Sequence, residues 1–212
     1  MSTTSVTTNR AQITVAEANA CLLLGKAFGL TREFEENLPD LLMTVADDLE
    51  DELTPLARKV AERWAEALED EPAATLAHTQ LFLGPFEIQA SPYAYTYLEP
   101  DSRLMGETSQ FVANTYADAG LAPADGPSDA PDHIVTEWEF LYYLAYQSVE
   151  TDDPKWSDCY HRFASEHMAS WVPQLAAMIK TASNHPFYSA LADFAEAFVT
   201  HEGRKCEIGL NN

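Results

Sequence analysis

Residues 132–145 read DHIVTEWEFLYYLA and place Asp132 and His133 at the start of a helix that is apolar almost all round. Helices of this kind are typical of the interior of a bundle. The segment therefore predicts a central buried helix with a chemically distinct N-terminal tip. At 100° per residue, two neighbouring stripes form, one of Ile134, Trp138, Leu141 and Ala145, and one of His133, Glu137, Phe140 and Leu144.

The composition fits one acidic globular unit. At 212 residues and 46% hydrophobic, the chain can bury one sizeable core without a second domain. Thirty-four acidic and twelve basic side chains give a formal charge of -22, which repels nucleic acid and anionic lipid and attracts a cationic partner such as a basic peptide. An acidic surface kept only for solubility explains the same charge.

The spacing of the cysteines and the lengths of the apolar runs indicate where in the cell the protein is expected. The three cysteines are widely spaced, and no Cys-x-x-Cys pair suggests zinc, an iron–sulfur cluster or a redox dithiol. Residues 1–12 lack the apolar run of a secretory signal, and no segment reaches the length of a membrane span. We expect a cytoplasmic protein with reduced thiols and no stable membrane insertion.

Further helices are predicted by their start signals. Thr14 with Glu17 has the spacing of a capping box and predicts a first helix that ends near Gly29. Prolines that recur where helices would begin predict three more, near residues 40–52, 55–70 and 73–83. The all-α pattern is completed by a helix over 107–119, one that starts near 154 and bends or restarts at Pro173, and a last one from Pro186.

We predict a single-domain helical bundle with a long aromatic loop and a central buried helix. Its parts are a disordered tail over residues 1–12, an all-helical domain over 13–201 and a polar C-terminal tail over 202–212. The Pro- and Asp-rich segment 121–131 is the candidate hinge. The aromatic loop spans 84–106, where three X-Pro pairs rule out a continuous helix and three tyrosines alternate with smaller residues.

A catalytic or metal centre has little support in the sequence. Asp132, His133 and Glu137 could form an acid/base or metal cluster, but a metal would need further ligands. His161 and His167 lie six apart, on opposite sides of their helix, and the Glu-x-x-His motif of di-iron bundles is absent. Phosphate-binding loops and nucleophile elbows are also absent. We therefore predict that the protein is not an enzyme and that it has no catalytic residue, no bound metal and no cofactor.

Several of these residues have structural interpretations as well. Asp132 could cap the N-terminus of its helix or contact a ligand. His167, within an aromatic stripe, is interpreted as a hydrogen-bonded core histidine that holds two helices in register. The tyrosines of the loop either line a groove for a peptide that is basic at one end and apolar beyond it, or fill the core.

Three segments, in order along the chain, resemble one family. LFLGP at 81–85 with SPYAYTYL at 91–98 is similar to a Leu-Phe-x-Gly-Pro and Pro-aromatic-x-x-x-Tyr-Leu loop. Asp132-His133-Ile134 is similar to an Asp-His segment that opens a helix, and residues 163–171 resemble a Phe-x-x-x-His-Leu-x-x-Trp helix. The family is that of the cytoplasmic maturation chaperones of molybdenum enzymes, the TorD, DmsD and NarJ group.

The resemblance implies a function in addition to an all-α fold. Such a chaperone binds the twin-arginine leader and apo catalytic subunit of a molybdenum oxidoreductase, and delays export until the molybdopterin cofactor is inserted. It also implies a monomer or a dimer that exchanges helices across the hinge. We expect Asp132, His133 and Glu137 to contact the basic end of the leader, and the apolar end to meet Phe82, Tyr93, Tyr95, Tyr97 and Trp138.

Two other functions fit parts of this pattern. An acidic helical adaptor for another basic partner would share the charge and the groove, but it would not prefer paired arginines. A helical metalloenzyme would contain bound metal.

Overall fold

The architecture is all helical. A computed structural model describes residues 13–29, 37–84, 87–99, 101, 105–122, 130–151 and 153–210, with side chains described up to residue 205. No strand occurs in these ranges, and Tyr93 and His133 form an isolated antiparallel bridge. The helices are α1 Val15–Phe28, α2 Leu38–Ala46, α3 Thr54–Glu69, α4 Glu71–His78, α5 Tyr95–Leu98, α6 Glu107–Asp118, α7 Ile134–Thr151, α8 Pro154–Arg162, α9 Ala169–Ala182 and α10 Pro186–Leu210.

Two helices contain π-helical segments. Thr79–Leu83 continues α4, and Phe163–Met168 joins α8 to α9 without a break. Pro173 lies inside α9 and does not end it. The wider hydrogen-bonded turns of a π segment are common at functional sites.

The start signals read from the sequence are confirmed. Thr14 accepts a hydrogen bond from the backbone of Glu17 at 3.1 Å, and the Glu17 side chain accepts one from the backbone of Thr14 at 2.7 Å. The Asp70 and Asp153 side chains cap α4 and α8. Each cap satisfies a backbone N–H that has no partner within the helix.

The core forms where α7 and α10 pack against their neighbours. α7 lies against α1 on one side and α8 on another, whereas α10 lies against α9 and α3. At Gly25 an added Cβ would lie 3.4 Å from the Cβ of Trp138, so the glycine allows α1 to approach α7 closely. The central helix is buried over most of its surface through Ile134, Glu137, Trp138, Phe140, Leu141, Leu144 and Ala145.

The C-terminal boundary differs from the expectation. α10 continues through Glu202 to Leu210, so the polar tail predicted from residue 202 is helical over most of its length. Polar residues of this segment belong to the folded interior: Glu202 is fully buried, and Lys205 contacts Glu17 of α1. The predicted tail over 1–12 lies outside the described residues, as does most of the predicted hinge.

The aromatic loop is compact. Gly84 has a φ of +42°, and an added Cβ would lie 2.2 Å from the carbonyl oxygen of Glu87, so only glycine fits there without strain. The Ala90 N–H then bonds the Leu81 carbonyl at 2.9 Å. Within the described residues, no helix is long and apolar enough to cross a membrane.

Candidate peptide-binding site

Asp132 connects three parts of the chain. Its Oδ2 accepts a hydrogen bond from the Tyr95 N–H at 2.9 Å, and its Oδ1 accepts one from the Ser109 hydroxyl at 2.8 Å. Its own carbonyl accepts the Ala94 N–H at 3.0 Å. This fully buried carboxylate thereby fixes the aromatic loop and α6 to the start of α7.

His133 immediately precedes α7 and lies half-buried next to Asp132. Its Nδ1 accepts the Val135 N–H at 3.3 Å, so the imidazole caps the helix. Its ring contacts Tyr93 edge-on, with 4.9 Å between ring centroids, and the Tyr93 ring lies 5.9 Å from that of Tyr95. These three half-buried rings form a continuous aromatic patch, which we call the tip patch.

A buried polar triad lies below, one turn into α7. Glu137 bonds His167 Nε2 through Oε1 at 2.6 Å and accepts the Trp171 Nε1–H through Oε2 at 3.0 Å. Burial raises the pKa of Glu137, and the interaction with His167 opposes that shift. The predicted role of His167, a core histidine that joins two helices, is confirmed.

Two further aromatic side chains cover this triad. Tyr97 stacks on Trp171 with 5.7 Å between centroids, and its hydroxyl donates to the Ser91 carbonyl at 2.9 Å. Phe111 of α6 lies 5.6 Å from the His167 ring and keeps 52% of its surface exposed. An exposed phenylalanine over a rigid polar layer is available for contact with an apolar chain.

The eight residues proposed for peptide binding separate into two groups. Asp132, Glu137 and Trp138 are 0% exposed and Phe82 is 4% exposed. The second group is half-buried and consists of His133, Tyr93, Tyr95 and Tyr97.

The four buried residues contact other residues in the interior of the protein. Phe82 packs against Phe28, His78 and Tyr188, and Trp138 packs against Phe198. Both carboxylate oxygens of Asp132 accept from distant donors and not from the first turn of α7, which was one of the two roles considered for this residue. Direct contact by these four residues stays a prediction, and their positions suit support of the surface above.

Sequence reasoning missed Ser109, Phe111 and Trp171 as parts of this site. Trp171 was visible as the end of an aromatic stripe, but its bond to Glu137 depends on how two helices pack. Ser109 and Phe111 lie on a mostly polar helix, where no local pattern marks a partner 23 residues further on.

One family model matches the part of the chain that contains this candidate site. The family described as nitrate reductase delta subunit matches residues 44–177, more than half of the chain. The chain belongs to this family. The matched range includes the aromatic loop, the tip of α7 and the His167 helix, which are the three segments that carry the resemblance in the sequence.

Two individual relatives are distant in sequence, and both are named as chaperones. The chain is 25% identical over 138 residues to the chaperone protein TorD of Shewanella pealeana, a match that covers 62% of this chain and 59% of that protein. It is 22% identical over 180 residues to the Tat proofreading chaperone DmsD of Salmonella typhi, which covers 82% of each.

A solved structure has the same fold. The crystal structure of a proposed redox enzyme maturation protein from Archaeoglobus fulgidus matches with a TM-score of 0.52 at 21% identity. The match covers 91% of this chain and 96% of that one.

Proposed function

We propose that this protein is a cytoplasmic maturation chaperone for a molybdopterin-containing oxidoreductase. It binds the twin-arginine leader of the apo catalytic subunit, and it holds that subunit until the cofactor is inserted and before export. It acts by binding and not by catalysis. Membership of the nitrate reductase delta subunit family and the likeness to TorD and DmsD support this function.

The observation that carries the proposal is the rigid tip patch. Tyr93, Tyr95 and His133 come from two segments, and hydrogen bonds to buried Asp132 hold those segments together. Preorganised aromatic surface binds an apolar peptide with little loss of side-chain entropy. Phe111 and Tyr97 extend the apolar surface toward α9.

The basic end of the leader is attracted by negative charge. With a formal charge of -22, the surface potential favours any basic peptide. Asp132 lies directly beneath the tip patch, and its carboxylate adds to that potential. His133, at the edge of the patch, is the polar group placed to meet the leader.

A peptide titration tests the function. A synthetic leader with two consecutive arginines followed by an apolar run should bind more tightly than the same peptide with two lysines, because the planar guanidinium of arginine stacks on aromatic rings such as those of the tip patch, whereas the ammonium of lysine is a point charge. Isothermal titration calorimetry measures both affinities. Equal affinities would favour the general acidic adaptor over a leader chaperone.

Substitutions test the surface. Tyr93→Ala or Phe111→Ala should each weaken binding of the arginine peptide by about 1–2 kcal/mol, the cost of losing an aromatic anchor. Tyr146→Ala is the matched control, since Tyr146 is 49% exposed on α7 but lies about 20 Å along the helix from His133. An equal loss in the control would contradict binding at the tip patch.

A further inference from the structure

A second cluster of titratable side chains lies between α1 and α10 and combines residues from the two ends of the chain. Glu17, His201 and Glu202 are 3%, 5% and 0% exposed, and each presents one potential ligand atom within 4.8 Å of the others. Two buried carboxylates so close together repel one another unless a cation lies among them, and either the Lys205 ammonium or a metal ion can be that cation.

Glu202 shows most clearly that a cation belongs here. Neither of its carboxylate oxygens has a hydrogen-bond partner among the described residues. His161 Nδ1 at 3.3 Å and Lys205 Nζ at 3.5 Å are its ion-pair neighbours, but neither contact has hydrogen-bond geometry. Leaving a buried carboxylate in this state costs free energy, whereas coordination to a metal would satisfy it.

His201 is oriented as a metal ligand. Its Nδ1 bonds the carboxylate of Glu52, so Nε2 is the nitrogen that would bind a metal. Nε2 has no hydrogen-bond partner in the part of the chain that the structure describes, although Glu50 Oε1 lies 3.3 Å away. A carboxylate behind one imidazole nitrogen is the usual support of a histidine that binds metal through the other nitrogen.

We propose that Glu17, His201 and Glu202 bind a divalent transition metal of the Zn²⁺ class. One imidazole and two carboxylates suit zinc better than Mg²⁺ or Ca²⁺, which prefer oxygen ligands alone. Tetrahedral ligands about 2.1 Å from zinc lie about 3.4 Å apart, so small side-chain movements would complete the geometry. Glu50 or water supplies the fourth ligand.

Lys205 is the competing cation. Its ammonium contacts Glu17 and lies 3.3 Å from Glu50 and 3.5 Å from Glu202, and its side chain is 13% exposed. Metal binding displaces this ammonium, which a long flexible stem near the end of α10 permits. The bound metal would then fasten α10 to α1 and raise the stability of the folded state.

Zinc titration of the purified full chain tests the site. In competition with a chromophoric chelator, the wild type should bind one equivalent of Zn²⁺, and excess Mg²⁺ should not displace it. His201→Asn and Glu202→Gln should lower the affinity by at least about 100-fold, and Glu52→Gln by about 10–100-fold. Lys205→Met, which keeps the stem and removes the charge, should bind Zn²⁺ at least about tenfold more tightly because the competitor is gone.

The controls exclude trivial explanations. His185→Asn alters a histidine outside the cluster and should leave zinc affinity unchanged. Circular dichroism verifies the fold of each variant, and if Glu202→Gln does not fold, His201→Asn and Lys205→Met still decide the matter. The proposal is overturned if the wild type binds no zinc, if His201→Asn binds it as tightly as the wild type, or if Lys205→Met does not strengthen binding.

Discussion

At the scale of single residues, Asp132 is the acceptor that joins the aromatic loop and α6 to the start of α7. From its position before α7, the sequence left two roles open, a helix cap and a ligand contact, because a carboxylate there can accept from its own helix. In the structure its two acceptors serve Tyr95 and Ser109, which lie 37 and 23 residues earlier. The importance of the residue was therefore visible in the sequence, but its partners depend on tertiary packing.

Asp132→Ala should lower the free energy of unfolding by about 2–4 kcal/mol, since it leaves a buried hydroxyl and a backbone N–H without their acceptor. Asp132→Asn should cost about 1 kcal/mol, because its carbonyl can accept one bond and the Ser109 hydroxyl can accept from its amide. Urea unfolding measures both variants. Equal losses for Ala and Asn would show that these two bonds contribute little.

Glu137 should make stability depend on pH in a defined direction. Burial raises the pKa of this carboxyl above its ordinary value of 4.5, so the folded chain retains a proton that the unfolded chain has released. The contribution of Glu137 to the free energy of unfolding is therefore largest below pH 4.5 and is lost as the pH rises through the raised pKa. Glu137→Gln stays neutral, so its stability relative to the wild type should increase over this window, by at most about 1.4 kcal/mol per pH unit.

Urea unfolding at a series of pH values from about 4 to about 8 provides this measurement. Glu139→Gln is the matched control, because Glu139 lies two residues away on the exposed face of α7. Its curve should run parallel to that of the wild type. A parallel curve for Glu137→Gln as well would mean that burial of the Glu137 carboxyl does not set the pH dependence.

At the scale of elements, the starts of helices were predictable and one end was not. Prolines and capping side chains act locally, so α1, α3 and α4 begin close to the predicted positions. The end of α10 was not predictable, because Glu202 and Lys205 are residue types typical of a solvated tail. Only the packing against α1 shows that they belong to the fold. The two π segments also carried no recognisable signal.

The contact between α1 and α7 gives a test at this scale. Gly25→Ala should raise the free energy of unfolding by about 0.5–1 kcal/mol, because alanine favours the helix and its Cβ meets Trp138 at 3.4 Å, near the lower limit of ordinary contact. Gly25→Leu should lower it by about 1–3 kcal/mol or more through overpacking. Chemical unfolding of the pair distinguishes these effects, and a stabilising leucine would contradict the close approach.

At the scale of the whole molecule, the all-α class followed from helical periodicity and from the Pro and Gly breaks, which the structure confirms. The cluster of Glu17, His201 and Glu202 could not be foreseen, because its members come from the two ends of the chain. The net charge, in contrast, is fixed by composition alone.

That charge of -22 should act on stability and on binding in opposite directions. Raising NaCl from about 0.01 M to about 1 M shortens the screening length from about 30 Å to about 3 Å. Self-repulsion in the compact state should fall and stability should rise, whereas the affinity for the twin-arginine peptide should decrease. Urea unfolding and calorimetry at both salt concentrations measure the two effects, and an unchanged peptide affinity would exclude long-range charge from recognition.

The π segment Phe163–Met168 also has a consequence for comparing relatives. Its hydrogen bonds close one residue later than those of an α-helix, so the turn accommodates one additional amino acid. A homologue whose helix is regular at this point would place its counterpart of His167 one position nearer to that of His161. Alignments that do not allow a single-residue gap between these two histidines will pair the wrong positions on one side of it, and the Glu137 partner will seem to be missing.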